Sequence, residues 1–168
     1  HSVQSAFPEK PEGYSAKNAE NILSSYTSGD IPADRRVNVI AVQLEAFNDL
    51  RTIGFEDIDP GVYAAYDALK AESLSGRLVT NIFAGGTIDT ERTFITGDTS
   101  LTDFRAATGS YAWYLRNNGY YVTGSHSCYD WFYNRKNVNA YLGFEDYKFF
   151  ENRYSDLADG AIAYDDIL

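Results

Sequence analysis

Thr87 lies in the run Ala84-Gly85-Gly86-Thr87-Ile88-Asp89-Thr90-Glu91-Arg92, where two glycines deliver a hydroxyl onto a predicted helix start. A hydroxyl so placed is a candidate nucleophile. Glycines let the chain approach a ligand without Cβ clashes, and the N–H groups of a helix start face phosphate or sulfate oxygens. The same run also describes an ordinary Thr N-cap behind a glycine turn. Three further residues combine reactive chemistry with a matching position. Glu45 ends the apolar run 37–44, where open α/β sheets bind ligands at the C-terminal ends of their strands, although a loop acid is the plainer reading. His126 follows a third apolar run, 120–125, and falls at the same predicted edge, as a functional or a structural histidine. Arg135 closes an aromatic patch, Cys128-Tyr129-Asp130-Trp131-Phe132-Tyr133-Asn134. Its guanidinium is suited to forking onto a phosphate or sulfate. Equally, it pairs with one of the 24 acidic residues, and the aromatics are core.

The elements that must position these residues alternate. Residues 1–36 hold three of the four prolines and read as a tether, with a short helical patch over 16–26. The run 37–44 predicts a strand buried on both faces of a parallel sheet. Pro60 opens a crossover helix over 60–73, with Val62, Tyr66 and Leu69 at helical spacing. A strand over 77–83 leads into the Thr87 turn and a helix to about residue 96, closed by Gly97. A helix over 110–118 with Gly119 at its end, the strand 120–125, a helix over 137–142 ended by Gly143 and a short strand over 148–150 follow. This alternation predicts an α/β fold, a doubly wound, mainly parallel sheet with helices on both faces, occupying residues 37–168. The acidic tail reads as solvated surface.

Composition narrows the partners. At 168 residues with 44% hydrophobic content the chain fits one domain or part of one. A net charge of -10 and a pI near 4.5 argue against a nucleic-acid surface or a polybasic membrane patch, both of which need clustered Lys and Arg. The single Cys128 rules out an internal disulfide and a multi-cysteine zinc site. No apolar run approaches the roughly 20 residues of a membrane helix. A P-loop lysine, a His-Glu-x-x-His helix and a Gly-x-Ser-x-Gly elbow are all missing, so kinase, zincin and common serine-hydrolase chemistries lack their motifs. The abundance of aromatics, 14 Tyr and 10 Phe, suits a carbohydrate-facing or cell-surface protein. The lack of any Met suggests a piece of a longer chain.

Three blocks together, Asn38 to Phe47 (NVIAVQLEAF), Gly85 to Glu91 (GGTIDTE) and His126 to Phe150 (HSCYDWFYNRKNVNAYLGFEDYKFF), resemble the extracellular catalytic domain of lipoteichoic acid synthases. These are phosphoglycerol transferases of the alkaline phosphatase and sulfatase superfamily. The opening KPEGYSAKNAENI is similar to the linker that joins that family's membrane helices to the domain. The resemblance implies that Glu45 and Thr87 ligate a divalent metal, Mn²⁺ or else Mg²⁺, that Thr87 is the nucleophile, and that His126 and Arg135 contact the phosphoglycerol. It implies phosphatidylglycerol as donor, a glycerol phosphate polymer or glycan as acceptor, and a position on the outer face of a bacterial membrane, tethered by helices outside this sequence. The chain departs from some relatives at Cys128 and Tyr133, where they carry Asp and Trp. It also lacks the Asp-His pair and further His that the family places downstream, since His1 and His126 are its only histidines. The resemblance therefore implies an alkaline phosphatase-like sheet incomplete at its C-terminal side, inactive alone, with an open edge suited to self-association. Two other functions stay open from the residues: a metal-dependent phosphodiester or sulfate-ester hydrolase, and a non-catalytic surface module that binds anionic glycopolymers.

Overall fold

The computed structural model describes residues 12–26, 29–44, 46–80, 82, 85–100 and 103–158. The chain forms two units, His1–Asn38 and Val39–Leu168. The first contains α1 (Ala16–Ser24), capped by Ser15, whose side chain accepts the Asn18 N–H at 3.1 Å. That bond satisfies one of the donors a helix start leaves without an internal partner. No side chain of α1 is buried, and a single 3-10 turn, Ala33–Arg35, follows Pro32.

The second unit carries the remaining elements. Asp59 and Pro60 start a 3-10 turn, Pro60–Tyr63, that runs into α2 (Ala64–Glu72). Buried Tyr63 ties this helix to the segment after Glu45: its hydroxyl accepts the Leu50 N–H at 3.0 Å and donates to the Asn48 carbonyl at 2.9 Å. Arg51 reinforces the join by pairing with both Asp49 and Asp67 at 2.8 Å. Next come α3 (Thr87–Thr96), closed by Gly97, and α4 (Tyr111–Asn117), capped by Ser110.

The chain then makes a strand–helix–strand unit. β1 (Thr123–Ser125) leads through a 3-10 turn, Phe132–Asn134, into α5 (Arg135–Tyr141), and α5 into β2 (Asp146–Lys148). β1 and β2 pair in parallel with Thr123, Gly124 and Ser125 opposite Asp146, Tyr147 and Lys148. Gly124 is required there, since a Cβ would come within 2.3 Å of the Tyr147 ring lying on it. A π-helical turn, Phe150–Tyr154, follows β2.

One core cluster joins Phe104 to Val138 of α5 and to Leu142 just after it, with Ile95 of α3, Tyr141 and Phe144 packed around it. α4 is locked onto the end of α5 by polar bonds. The Ser110 hydroxyl caps Trp113 and donates to the Leu142 carbonyl, and Trp113 Nε1 donates to the Tyr141 carbonyl at 2.8 Å. A second cluster is built from Phe150 and Tyr154 against Tyr129.

The runs 37–44 and 77–83, expected as strands, enter no ladder among the described residues, and 81 and 83 lie outside them. Residues 37–44 and 77–80 are open to solvent, with Ile40 86% and Val79 83% exposed. An apolar extended run becomes a strand only where a neighbour takes up its N–H and C=O groups, and the described ladder is confined to β1 and β2. The sheet among the described residues thus has two parallel strands. No helix among them is long and apolar enough to cross a membrane.

Candidate functional site

The N-terminal turn of α3 is set by its glycines. Gly85 sits in the left-handed region at φ +80°, and a Cβ on Gly86 would come within 2.0 Å of the Ile82 side chain. Gly86 holds the N-cap position, without a side-chain cap bond, and Thr87 is the first helical residue. The alternative of a Thr N-cap therefore does not hold. Thr87 is half-buried at the positive end of the helix dipole, where anions are favoured.

Glu91 lies four residues after Thr87 and so on the same face of α3. Its carboxylate accepts three contacts from Arg135: Nη2 at 2.9 Å and Nε at 3.2 and 3.4 Å. The Arg135 side chain is 2% exposed and that of Glu91 13%. Of the two readings of Arg135, the structure shows the pairing with an acid. One nitrogen is left over, because Arg135 Nη1 is buried with no hydrogen-bond partner among the described residues.

Arg135 is reached through an unusual turn. Tyr133 and Asn134 both have positive φ, 57° and 55°. Asn tolerates this left-handed region, but a bulky side chain there is strained by about 1–2 kcal/mol. Arg92, the neighbour of Glu91, holds the strained residue directly: its Nη2 donates to the Tyr133 carbonyl at 2.7 Å. The guanidinium of Arg92 also lies over the Phe104 ring of the core at 5.1 Å. Consecutive residues of α3 thus grip both the Arg135 side chain and the turn that presents it.

His126 follows β1 directly, and its N–H donates to the Lys148 carbonyl at 2.9 Å. Nδ1 accepts the Cys128 N–H at 3.0 Å, so the neutral ring carries its proton on Nε2. Burial holds the imidazole below its ordinary value, and the positive charge of Arg135 adds to the shift while Glu91 opposes it. His126 is therefore a neutral donor at pH 7. Tyr147 feels the same pair: burial, then the Glu91 charge, raises its phenol, so it stays protonated. The structure brings His126, Arg135 and Glu91 into one electrostatic neighbourhood at the C-terminal end of β1.

Glu45 lies outside the described residues. Its neighbours Leu44 and Phe47, however, line a cleft of about 540 Å³ together with Leu78, Thr80, Thr90 and Phe94. Thr90 and Phe94 fall three and seven residues after Thr87, along one stripe of α3. As donor chemistry, the Thr87 hydroxyl suits a hard cation that takes oxygen ligands, and so does a carboxylate at position 45. Among the described residues no three His, Cys, Asp or Glu side chains converge.

Glu91 and Arg92 are absent from the sequence-derived site. A signal existed for Glu91, the four-residue step from Thr87; for Arg92 none did, because its partner is a main-chain carbonyl 41 residues away. Comparison with protein-family models, with characterised proteins and with solved structures returns no match.

Proposed function

We propose that the chain is the nucleophile-bearing part of a phosphoglycerol transferase that uses phosphatidylglycerol as donor at the outer face of a bacterial membrane. The observation that carries this reading is Thr87 at the first position of α3, behind Gly85 and Gly86, one turn from the Glu91–Arg135 pair. The Thr87 oxygen attacks phosphorus, the bond to the diacylglycerol oxygen breaks, and that oxygen takes up a proton. The glycerophosphoryl ester on Thr87 then passes to a glycerol hydroxyl of a polymer or glycan. His126, neutral with its proton on Nε2, offers a hydrogen bond to a phosphoryl oxygen and adds no charge. Glu91 fixes the Arg135 guanidinium and leaves Nη1 as the remaining donor. A divalent cation, Mn²⁺ or Mg²⁺, held by Thr87 and Glu45 would lower the pKa of the hydroxyl and offset charge on the phosphate. Support for that pairing is the cleft shared by the segments flanking Glu45 and the Thr87 helix. The α/β architecture proposed for the intact fold is the doubly wound sheet, with the runs 37–44 and 77–83 as members.

The test uses the protein as it occurs in the cell, with headgroup-labelled phosphatidylglycerol and Mn²⁺. A glycerophosphoryl adduct on the Thr87 peptide, lost in Thr87→Ala together with transfer, is the expected result. Transfer that survives Thr87→Ala refutes the reading, and release of free glycerol phosphate without extension of any acceptor identifies a hydrolase instead.

A further inference from the structure

The aromatic run before Arg135 presents a surface that the transfer reading does not use. Trp131 is 67% exposed, yet it is not loose. It stacks on Tyr129 with ring centroids 5.7 Å apart and planes 22° apart, and Tyr129 packs on Phe150 at 5.0 Å. Phe150 belongs to the second core cluster, so this ladder of rings anchors the indole to the protein interior. Phe132 braces it edge-on at 5.9 Å and 89°. The result is a flat apolar face turned to water and held from the interior by the ring ladder.

The rim is polar and acidic. Asp130, next to Trp131 in the chain, accepts the Lys136 ammonium at 2.8 Å, while its own N–H donates to the two Glu151 carboxylate oxygens at 3.2 and 3.1 Å. Lys136 is therefore already neutralised, and two carboxylates outnumber it. An anionic polymer or an anionic bilayer would meet this rim on a chain of net charge -10. Arg135 offers no charge to this outer face, since its side chain is 2% exposed and paired with Glu91. A pyranose ring suits the surface better. Its C–H face covers the indole, and its hydroxyls donate to the carboxylates without bringing charge.

We propose that Trp131, with Asp130 and Glu151, forms a binding subsite for a neutral hexose glycan. The subsite is independent of the transfer chemistry, and its partner differs from the anionic glycopolymer expected of a surface module. The test is a titration of ¹⁵N-labelled protein with cellohexaose and with maltohexaose, β- and α-linked neutral glycans. Expected are saturable shifts of the Trp131 indole N–H and of the Asp130 and Glu151 amides with at least one of them. In Trp131→Ala the Asp130 and Glu151 shifts disappear while β1 and β2 amides keep their positions; Trp131→Phe keeps the response with roughly tenfold weaker affinity. The proposal is overturned if neither glycan gives saturable shifts or if the shifts survive Trp131→Ala. It is equally overturned if dextran sulfate or phosphatidylglycerol vesicles shift these signals and the neutral glycans do not.

Discussion

Removing the Glu91 carboxylate should damage the protein far more than removing the whole ion pair. In Glu91→Ala the Arg135 guanidinium stays where α5 puts it, 2% exposed, and loses all three of its contacts to the carboxylate. Nη1 already has no partner among the described residues, so the charge would be left buried without compensation. A broken buried pair of this kind costs about 3–5 kcal/mol, a fifth or more of the roughly 5–15 kcal/mol that holds an average domain together. The double replacement Glu91→Leu with Arg135→Met removes both charges at similar volume and should lie within about 1–2 kcal/mol of wild type. Urea unfolding followed by far-ultraviolet circular dichroism gives the numbers, with unchanged slopes required for the comparison. A Glu91→Ala cost below about 1 kcal/mol would class the contact with exposed ion pairs and refute the reasoning. So would a double variant whose cost equals the sum of the Glu91→Leu and Arg135→Met single costs, since coupled neighbours do not add.

Two more outcomes follow from the same neighbourhood. His126 is held below its ordinary value, so between the folded and unfolded values the unfolded chain binds the extra proton. The stability this shift contributes is full above about pH 6.5 and falls as the pH drops through that window. Asp49 and Asp67, both lowered by Arg51, lose theirs only as pH falls through the acid range below. Urea midpoints between pH 7.5 and about 5 should therefore decline more steeply in wild type than in His126→Asn, and coincident slopes would contradict the shift. At the left-handed turn, Asn134→Val should cost about 1–2 kcal/mol, because a β-branched side chain resists positive φ. Asn134→Gly, which loses only the exposed bond from Asn137 Nδ2, should stay within about 0.5 kcal/mol, and equal melting temperatures for the two variants would argue against the turn.

The local elements were legible because their signals are local. Pro60, Ser110, Gly97, Gly119 and Gly143 act through the backbone of their own turn, and each helix they bracket lies within a few residues of its expected span. The Thr87 helix start was readable on the same grounds, although its cap is Gly86. The runs 37–44 and 77–83 show the limit of this reasoning. Their composition is that of buried strands, but a ladder depends on which neighbour is beside them, and no count of Val and Ile contains that.

The site residues divide along the same line. His126 and Arg135 were visible as types at a strand end and at the close of an aromatic patch, yet their states depend on partners remote in the chain. Arg135 and Glu91 are 44 residues apart, and any of 24 acids satisfied the sequence equally well. What selects Glu91 is packing: Ile95 on α3 packs against the core cluster that holds Val138 of α5, which joins the two helices at these side chains. Glu91, one turn before Ile95 on the same face, is then set beside the first residue of α5. The left-handed Tyr133 belongs to the same arrangement. Its strain is tolerable because Arg92 holds its carbonyl and Glu91 holds the next turn, so the core that fixes α3 also fixes the conformation in which Arg135 is presented.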